Sequence, residues 1–348
     1  MPRQLVLFAG LHKTGSTSIQ HTCSMNQRSL VNAGFAYPVL GYSGRHYRNH
    51  TGAFHFMFRG EPHKFGPKRR KPANAMATRS RLRQLVSCLL QERPETPVMV
   101  AEGVSIFTID ELREMKRWFN ERDYSIRVIC YVRRLSSWIN SMVSQRVTGF
   151  QRRTIKSALA EFLELSGLVR PRIANIREVF PDAEFYSFEA ALRHRFGPVG
   201  FFFEAIGISE MEKLDFARAN EGRSDCATRL ISSINETRGR TYVTGELNQR
   251  VADNDISGLQ IIPGAKFSLR LDEVAPLLPL LAEENEWLKE TIGKAFYDEH
   301  LVFSNEPCVW PEESLSRLRE VSSTSTPLVR SLISSYLAAL EQRSVNTQ

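Results

Sequence analysis

Cysteine is scarce in this 348-residue chain: Cys23, Cys88, Cys130, Cys226 and Cys308 are odd in number and scattered singly. No CxxC pair occurs, so the spacing suggests neither a zinc site nor a disulfide framework, and a reducing cytoplasm is the expected compartment. Long apolar runs are missing as well. Leu5 to Ala9 and Val98 to Ala101 are strand-length, far short of the ~20 residues that cross a bilayer. The first residues lack a long apolar core followed by a small-residue cleavage site, so neither a transmembrane segment nor a signal peptide is expected. No RNP motif, helix-turn-helix or zinc-finger spacing is present, which argues against a nucleic-acid partner. His46, His50, His55 and His63 stand in a Gly- and Pro-containing segment with no cysteine and with Glu61 as its one acid, so no metal is expected there.

What is present is the composition of a folded protein, 42% hydrophobic and 24% charged. The net charge of +8 is local. Residues 59 to 83 hold nine Lys/Arg (Arg59, Lys64, Lys68, Arg69, Arg70, Lys71, Arg79, Arg81, Arg83) against Glu61 alone. The remaining 37 basic and 37 acidic residues balance. Such a run reads either as a solvated basic loop or as the approach to an anionic partner.

Strand-like and helix-like stretches alternate. Gln4 to Ala9, Pro97 to Ala101, Ser125 to Val132 and Ala183 to Phe188 read as strands. Helices are expected from near Ser16 and over Ala75 to Gln91, Ile109 to Asn120 and Leu135 to Val147, with two more before the fourth strand. Residues 35 to 75 read as a long, largely irregular, basic and His-rich excursion. The chain becomes loop-rich from about Asn235, then helical over Glu283 to Phe296. The expectation is an α/β fold, P-loop-like and three-layered, with a central parallel sheet flanked by helices. One domain over 1–305 and a helical tail over 306–348, with a Ser/Thr-rich break near Ser322 to Thr326, complete it.

The sharpest local signal is Gly10-Leu11-His12-Lys13-Thr14-Gly15-Ser16-Thr17-Ser18, between the first strand and a helix. A strand, a short Gly/hydroxyl loop and a helix start present backbone N–H groups and a helix dipole to an anion. Gly10 and Gly15 have Walker A spacing, but Ser16 and Thr17 stand where Lys and Ser/Thr are required, and the lysine comes early, at Lys13. A strand–turn–helix with simple Ser/Thr capping is the plain alternative. A second motif ends the third strand at Arg133, eight residues before Ser141. Strand C-termini are where open α/β sheets bind ligands, and Arg with Ser could clamp a phosphate.

Together these motifs resemble the sulfotransferase superfamily that uses 3′-phosphoadenosine 5′-phosphosulfate (PAPS). His12-Lys13-Thr14-Gly15-Ser16-Thr17-Ser18-Ile19-Gln20 is similar to bacterial, carbohydrate-directed members. The resemblance implies that His12 to Ser18 bind the 5′-phosphosulfate, that Arg133 and Ser141 bind the 3′-phosphate, and that the desulfated product is PAP. It covers roughly residues 3 to 300, and Arg134-Leu135 departs from the Asp-Pro that often follows the family's Arg.

Sulfuryl transfer needs a held donor, a stabilised leaving phosphate and a base. Lys13 is suited to the leaving group. Glu102, directly after the second strand, and His50 are the two candidate bases, and no metal is needed. The expected acceptor is a hydroxyl-bearing glycan, anionic ones included. Rival readings are a P-loop kinase or NTPase, opposed by the missing lysine after Gly15, and a basic nucleic-acid-binding protein.

Overall fold

Leu5 to Phe8 form a run that is fully buried, as a strand covered on both faces requires. This is β1 (Arg3–Phe8), the middle strand of an all-parallel sheet. The computed structural model describes residues 2–42, 45–60, 75–92, 94–149, 152–165, 167–217, 222–241, 256–306 and 308–345. Its main strands are β1, β2 (Phe35–Ala36), β5 (Thr96–Val100), β6 (Tyr124–Val132) and β7 (Glu184–Ser187), in the order β2-β5-β1-β6-β7. Every neighbouring pair is parallel. The expected α/β class with a central parallel sheet flanked by helices is the one found.

The chain divides into two compact units, each assembled from separate segments. The first contains the sheet and comprises residues 1–134, 167–220 and 283–298. The period of two along its strands supplies two cores. Leu5, Leu7, Met99 and Cys130 pack with Phe54 and Phe58 of α3 (Thr51–Phe58), Leu82 of α4 (Ala75–Gln91), Leu112 of α5 (Ile109–Asn120) and Ile176 of α8 (Arg170–Val179). Val6, Phe8, Val100 and Tyr131 pack with Ile19 of α1 (Ser16–Met25), Phe188 of α9 (Phe188–Arg193) and Phe202 of α10 (Gly197–Ile206). Helix, sheet and helix form the three layers.

The second unit comprises residues 135–166, 221–282 and 299–348 and is built on helices, with α6 (Leu135–Thr148), α7 (Ile155–Leu163) and α11 (Asp225–Thr241) among them. The Trp138 ring lies 5.7 Å from that of Phe162. Arg229 pairs with Asp225 at 2.9 Å and with Glu273 at 2.7 Å. Two C-terminal helices, Glu312–Thr324 and Pro327–Val345, belong to this unit and bury Leu318 and Ile333. The break between them falls at Ser325 and Thr326, within the expected Ser/Thr stretch.

Helix boundaries at Ala75, Gln91, Ile109 and Asn120 match the periodicity reading. Two expectations need correction. The described part of the excursion is regular rather than irregular: β2 pairs with β5, β3 (Leu40–Tyr42) pairs antiparallel with β4 (Arg45–Tyr47), and α3 is a buried helix. The helix runs through Asn235 to Thr241, so the loop-rich stretch starts later than expected, and residues 242–255 lie outside the described residues. Lys64, Lys68, Arg69, Arg70 and Lys71, with His63, lie outside the described residues.

The strand order has one consequence for function. From β1 the chain crosses to β2 and β5 on one side, and then to β6 on the other. Such a reversal opens a crevice at the C-terminal end of the central strand. The loop from Gly10 to Gly15 begins there.

Candidate active site

The loop is pinned before it turns. Ala9 donates its N–H to Ile129 O at 2.9 Å and Leu11 to Tyr131 O at 3.2 Å, both on β6. At Gly10 a Cβ would come within 2.7 Å of the fully buried Phe8 ring, so only glycine fits without moving the core. Lys13 and Gly15 adopt left-handed conformations, with φ of 71° and 83°. For the non-glycine Lys13 that costs about 1 kcal/mol, which the surrounding structure must offset. Gly15 is the N-cap of α1, and no side chain caps the helix. The first N–H groups of a helix have no intrahelical acceptor.

Two of the loop's hydroxyls have other employment. Thr14 is fully buried and its hydroxyl donates to Leu11 O. Ser16 donates to a carboxylate oxygen of Glu102. The resemblance places both residues at the 5′-phosphosulfate. Their hydroxyl protons go to protein acceptors instead, so these residues offer an anion main-chain N–H groups.

Glu102 opens a 3₁₀ turn, Glu102–Ile106, directly after β5. Ala101 N–H to Phe8 O, 2.9 Å, ties that strand end to β1. Behind Glu102, Gly103 donates its N–H to Thr51 Oγ1 at 3.1 Å, and His55 Nε2 lies 3.1 Å from Gly103 O. A Cβ on Gly103 would come within 2.6 Å of the His55 ring. The turn is therefore clamped against α3. Burial depresses the His55 imidazole to about 4, so it is neutral at pH 7.

Arg133 leaves the end of β6 as a buried side chain. Its guanidinium donates to Lys13 O at 3.1 Å and lies over the Phe188 ring at 5.3 Å. Burial lowers its pKa while the Glu189 carboxylate opposes that shift. Glu189 also accepts the N–H of Arg134, at 3.2 and 3.3 Å to its two oxygens. The first turn of α9 thus braces the end of β6, and Arg133 backs the turn of the loop.

His12 Nδ1 is buried without a hydrogen-bond partner. Burial lowers the His12 pKa, Glu102 opposes this, and the positive charges of Arg172 and Lys13 add to it. Arg172, on α8, is therefore within electrostatic range of the loop. Sequence reading missed it, because helical periodicity does not say which neighbour a helix will face. A buried polar atom without a partner inside an otherwise bonded site is a place for a ligand contact.

The residues His12 to Ser18, Glu102 and Arg133 thus converge at the C-terminal ends of β1, β5 and β6. Ser141 lies on α6 in the second unit and is half-buried. His50 does not join the site. It is fully buried; its Nδ1 accepts from Val100 N–H at 2.9 Å, and its Nε2 lies 2.6 Å from Pro38 O. Burial pushes its pKa down to about 4. With both nitrogens held by backbone, His50 fastens the C-terminal end of β5 and has none left for an acceptor proton, which corrects the expectation that it is a candidate base.

No protein-family model matches this chain, and no curated protein matches it. Among solved structures, it is similar to a crystal structure of a sulfotransferase from Alicyclobacillus acidocaldarius, at 13% identity and a TM-score of 0.40. The match covers 71% of this chain and 98% of that one. Likeness at this level bears on neither substrate nor site residues.

Proposed function

We propose that this chain is a PAPS-dependent sulfotransferase acting on a carbohydrate hydroxyl or amine and releasing PAP. The observation that carries this reading is the uncapped start of α1, wrapped by a left-handed turn at Lys13 and Gly15 and hydrogen-bonded through Ser16 to Glu102. The donor set suits a phosphosulfate: helix N–H groups, one lysine, one buried arginine and the partnerless His12 nitrogen.

In this proposal the main chain of Thr14 to Ser18 holds the 5′-phosphate, with the Thr17 and Ser18 hydroxyls as further donors. Arg133 holds the 3′-phosphate. Glu102 takes the proton of the acceptor hydroxyl as the new O–S bond forms. The bond from sulfur to the bridging oxygen breaks in line, and Lys13 neutralises the charge that grows on that oxygen. Ser16, by hydrogen-bonding to Glu102, keeps its carboxylate aimed across the turn. Arg172 adds positive potential at the loop.

A thermal-shift panel with PAP, ATP–Mg²⁺ and NADH tests this without knowledge of the acceptor. A ligand at 100 times its Kd stabilises by about 2.7 kcal/mol, so PAP should raise the Tm by several degrees and the other two should leave it unchanged. Stabilisation by ATP–Mg²⁺ alone would convert the reading to phosphoryl transfer.

A further inference from the structure

Two cysteines that lie far apart in sequence come together in the second unit. Cys226 Sγ and Cys308 Sγ are 3.6 Å apart, although 82 positions separate them, and both are thiols. Their neighbours hold them there. Cys226 is the second residue of α11, whose start is capped by Ser224, with Ala227 N–H to Ser224 Oγ at 3.1 Å. The Cys226 thiol donates to Val309 O at 3.2 Å. Next along the chain, the Trp310 ring lies 5.8 Å from that of Tyr336, and Ser314 Oγ donates to Pro263 O at 2.7 Å.

We propose that Cys226 and Cys308 form a reversible disulfide by exchange with a low-molecular-weight disulfide of the glutathione type. This goes beyond the sulfotransferase reading and does not depend on it. Cys308 is partly exposed and Cys226 is buried, so the order of events follows from access. The Cys308 thiolate attacks one sulfur of the small disulfide and expels one small thiolate, leaving a mixed disulfide. Cys226 then loses its proton to solvent, attacks the Cys308 sulfur and expels the second small thiolate. Two protein thiols are oxidised, and one small disulfide is reduced to two thiols.

Access, not acidity, sets this order, because the electrostatics of the pair favour the thiolate at Cys226. The hydrogen bond from Cys308 lowers the Cys226 pKa and correspondingly raises that of Cys308. A helix N-terminus favours a thiolate at Cys226 as well. The other three cysteines have no such arrangement. Cys23 and Cys130 are fully buried, which pushes their thiols up and makes them inert, and Cys88 is exposed on α4. Oxidation would tie α11 to the segment that leads into the two C-terminal helices.

The test is non-reducing peptide mapping of the full chain after incubation in glutathione buffers running from reduced to oxidised, with alkylation of remaining thiols. The expected product is one cross-linked peptide pair joining Cys226 and Cys308, with two alkylable thiols lost, a mass lower by two hydrogens, and neither a retained small thiol nor a dimer. The Tm of the oxidised form should rise by about 5 °C, since a cross-link over a long loop restricts the unfolded chain, and dithiothreitol should reverse it. Cys226→Ser should stop at a mixed disulfide on Cys308, and Cys88→Ser should behave as wild type. A wild-type map in which Cys88 carries glutathione while Cys226 and Cys308 remain separately alkylable would overturn the proposal. So would a cross-link that forms only after the chain is denatured.

Discussion

The start of α1 and the end of α3 are treated in opposite ways. At the end of α3 the terminal carbonyls are covered by cations from α4. Arg79 donates to Phe56 O at 3.1 Å and also to Arg59 O. Arg83 donates to Met57 O at 2.7 Å and pairs with Glu114, while Arg59 pairs with Glu111 at 3.3 Å. At the start of α1 the N-cap is a left-handed glycine with no side-chain cap. By contrast α5, elsewhere in the same unit, has a complete capping box from Thr108 and Glu111. Where a helix end serves the fold, its orphan groups are closed by side chains. Where one is left open at a strand-end crevice, beside Lys13 and Arg133, it is available to an anion. The lesson concerns charge: three of the nine cations in the basic run are internal fastenings, so the density of positive charge does not by itself locate the binding site.

The largest effects should come from the open end. Glu102→Gln and Lys13→Ala should each lower kcat by roughly 10²- to 10³-fold while PAP still binds. Single-turnover kinetics with PAP titration reads both, and normal turnover in either variant would break the assignment of this end to chemistry.

Next comes acid sensitivity. An imidazole held at about 4 when folded, against an ordinary 6.5, means that the unfolded chain takes up the proton first. The stability associated with neutral His50 is complete above pH 6.5 and is lost as the pH falls toward 4, by about 3 kcal/mol. Urea midpoints measured from pH 7 to pH 4 should fall accordingly. A flat profile would mean that water reaches His50 and that its place at the end of β5 is misread.

Arg133→Ala should weaken PAP by roughly 10-fold or more, the size of a charge-assisted hydrogen bond, and should weaken adenosine 5′-phosphosulfate much less, because that nucleotide lacks the 3′-phosphate. Calorimetry with the two ligands sharpens the contrast. Equal losses would make Arg133 a brace for the Lys13 turn alone.

Arg83→Ala should destabilise the fold by about 1–3 kcal/mol, having uncovered a helix-end carbonyl, yet leave PAP affinity unchanged. If chemical denaturation shows no loss, the closed end of α3 is not closed by this residue. The smallest effect is expected for neutralising Lys68, Arg69, Arg70 and Lys71 together. Charges in salt solution act through a field screened over about 8 Å, so an anionic acceptor should show a KM raised a few-fold and a flatter salt dependence, with kcat nearly unchanged. Loss of donor binding instead would move the nucleotide to the excursion.

Much of the architecture is legible in the residues alone. The apolar runs at Leu5 and Val98, the helical spacing over Ala75 to Gln91, and the Gly10/Gly15 loop are local signals, and local physics settles them. That Glu102 would stand at a strand end also follows from local sequence. What the sequence by itself could not determine is which partner each side chain meets. His50 and Glu102 are both plausible bases in one dimension, and parallel pairing along β5 makes one a backbone clamp while the other meets Ser16. Arg172 and the Cys226–Cys308 pair are invisible for the same reason, since both depend on elements brought together across long separations. Periodicity fixes which face of an element is apolar; only packing in three dimensions decides what that element lies against, and therefore which charges are left for a ligand.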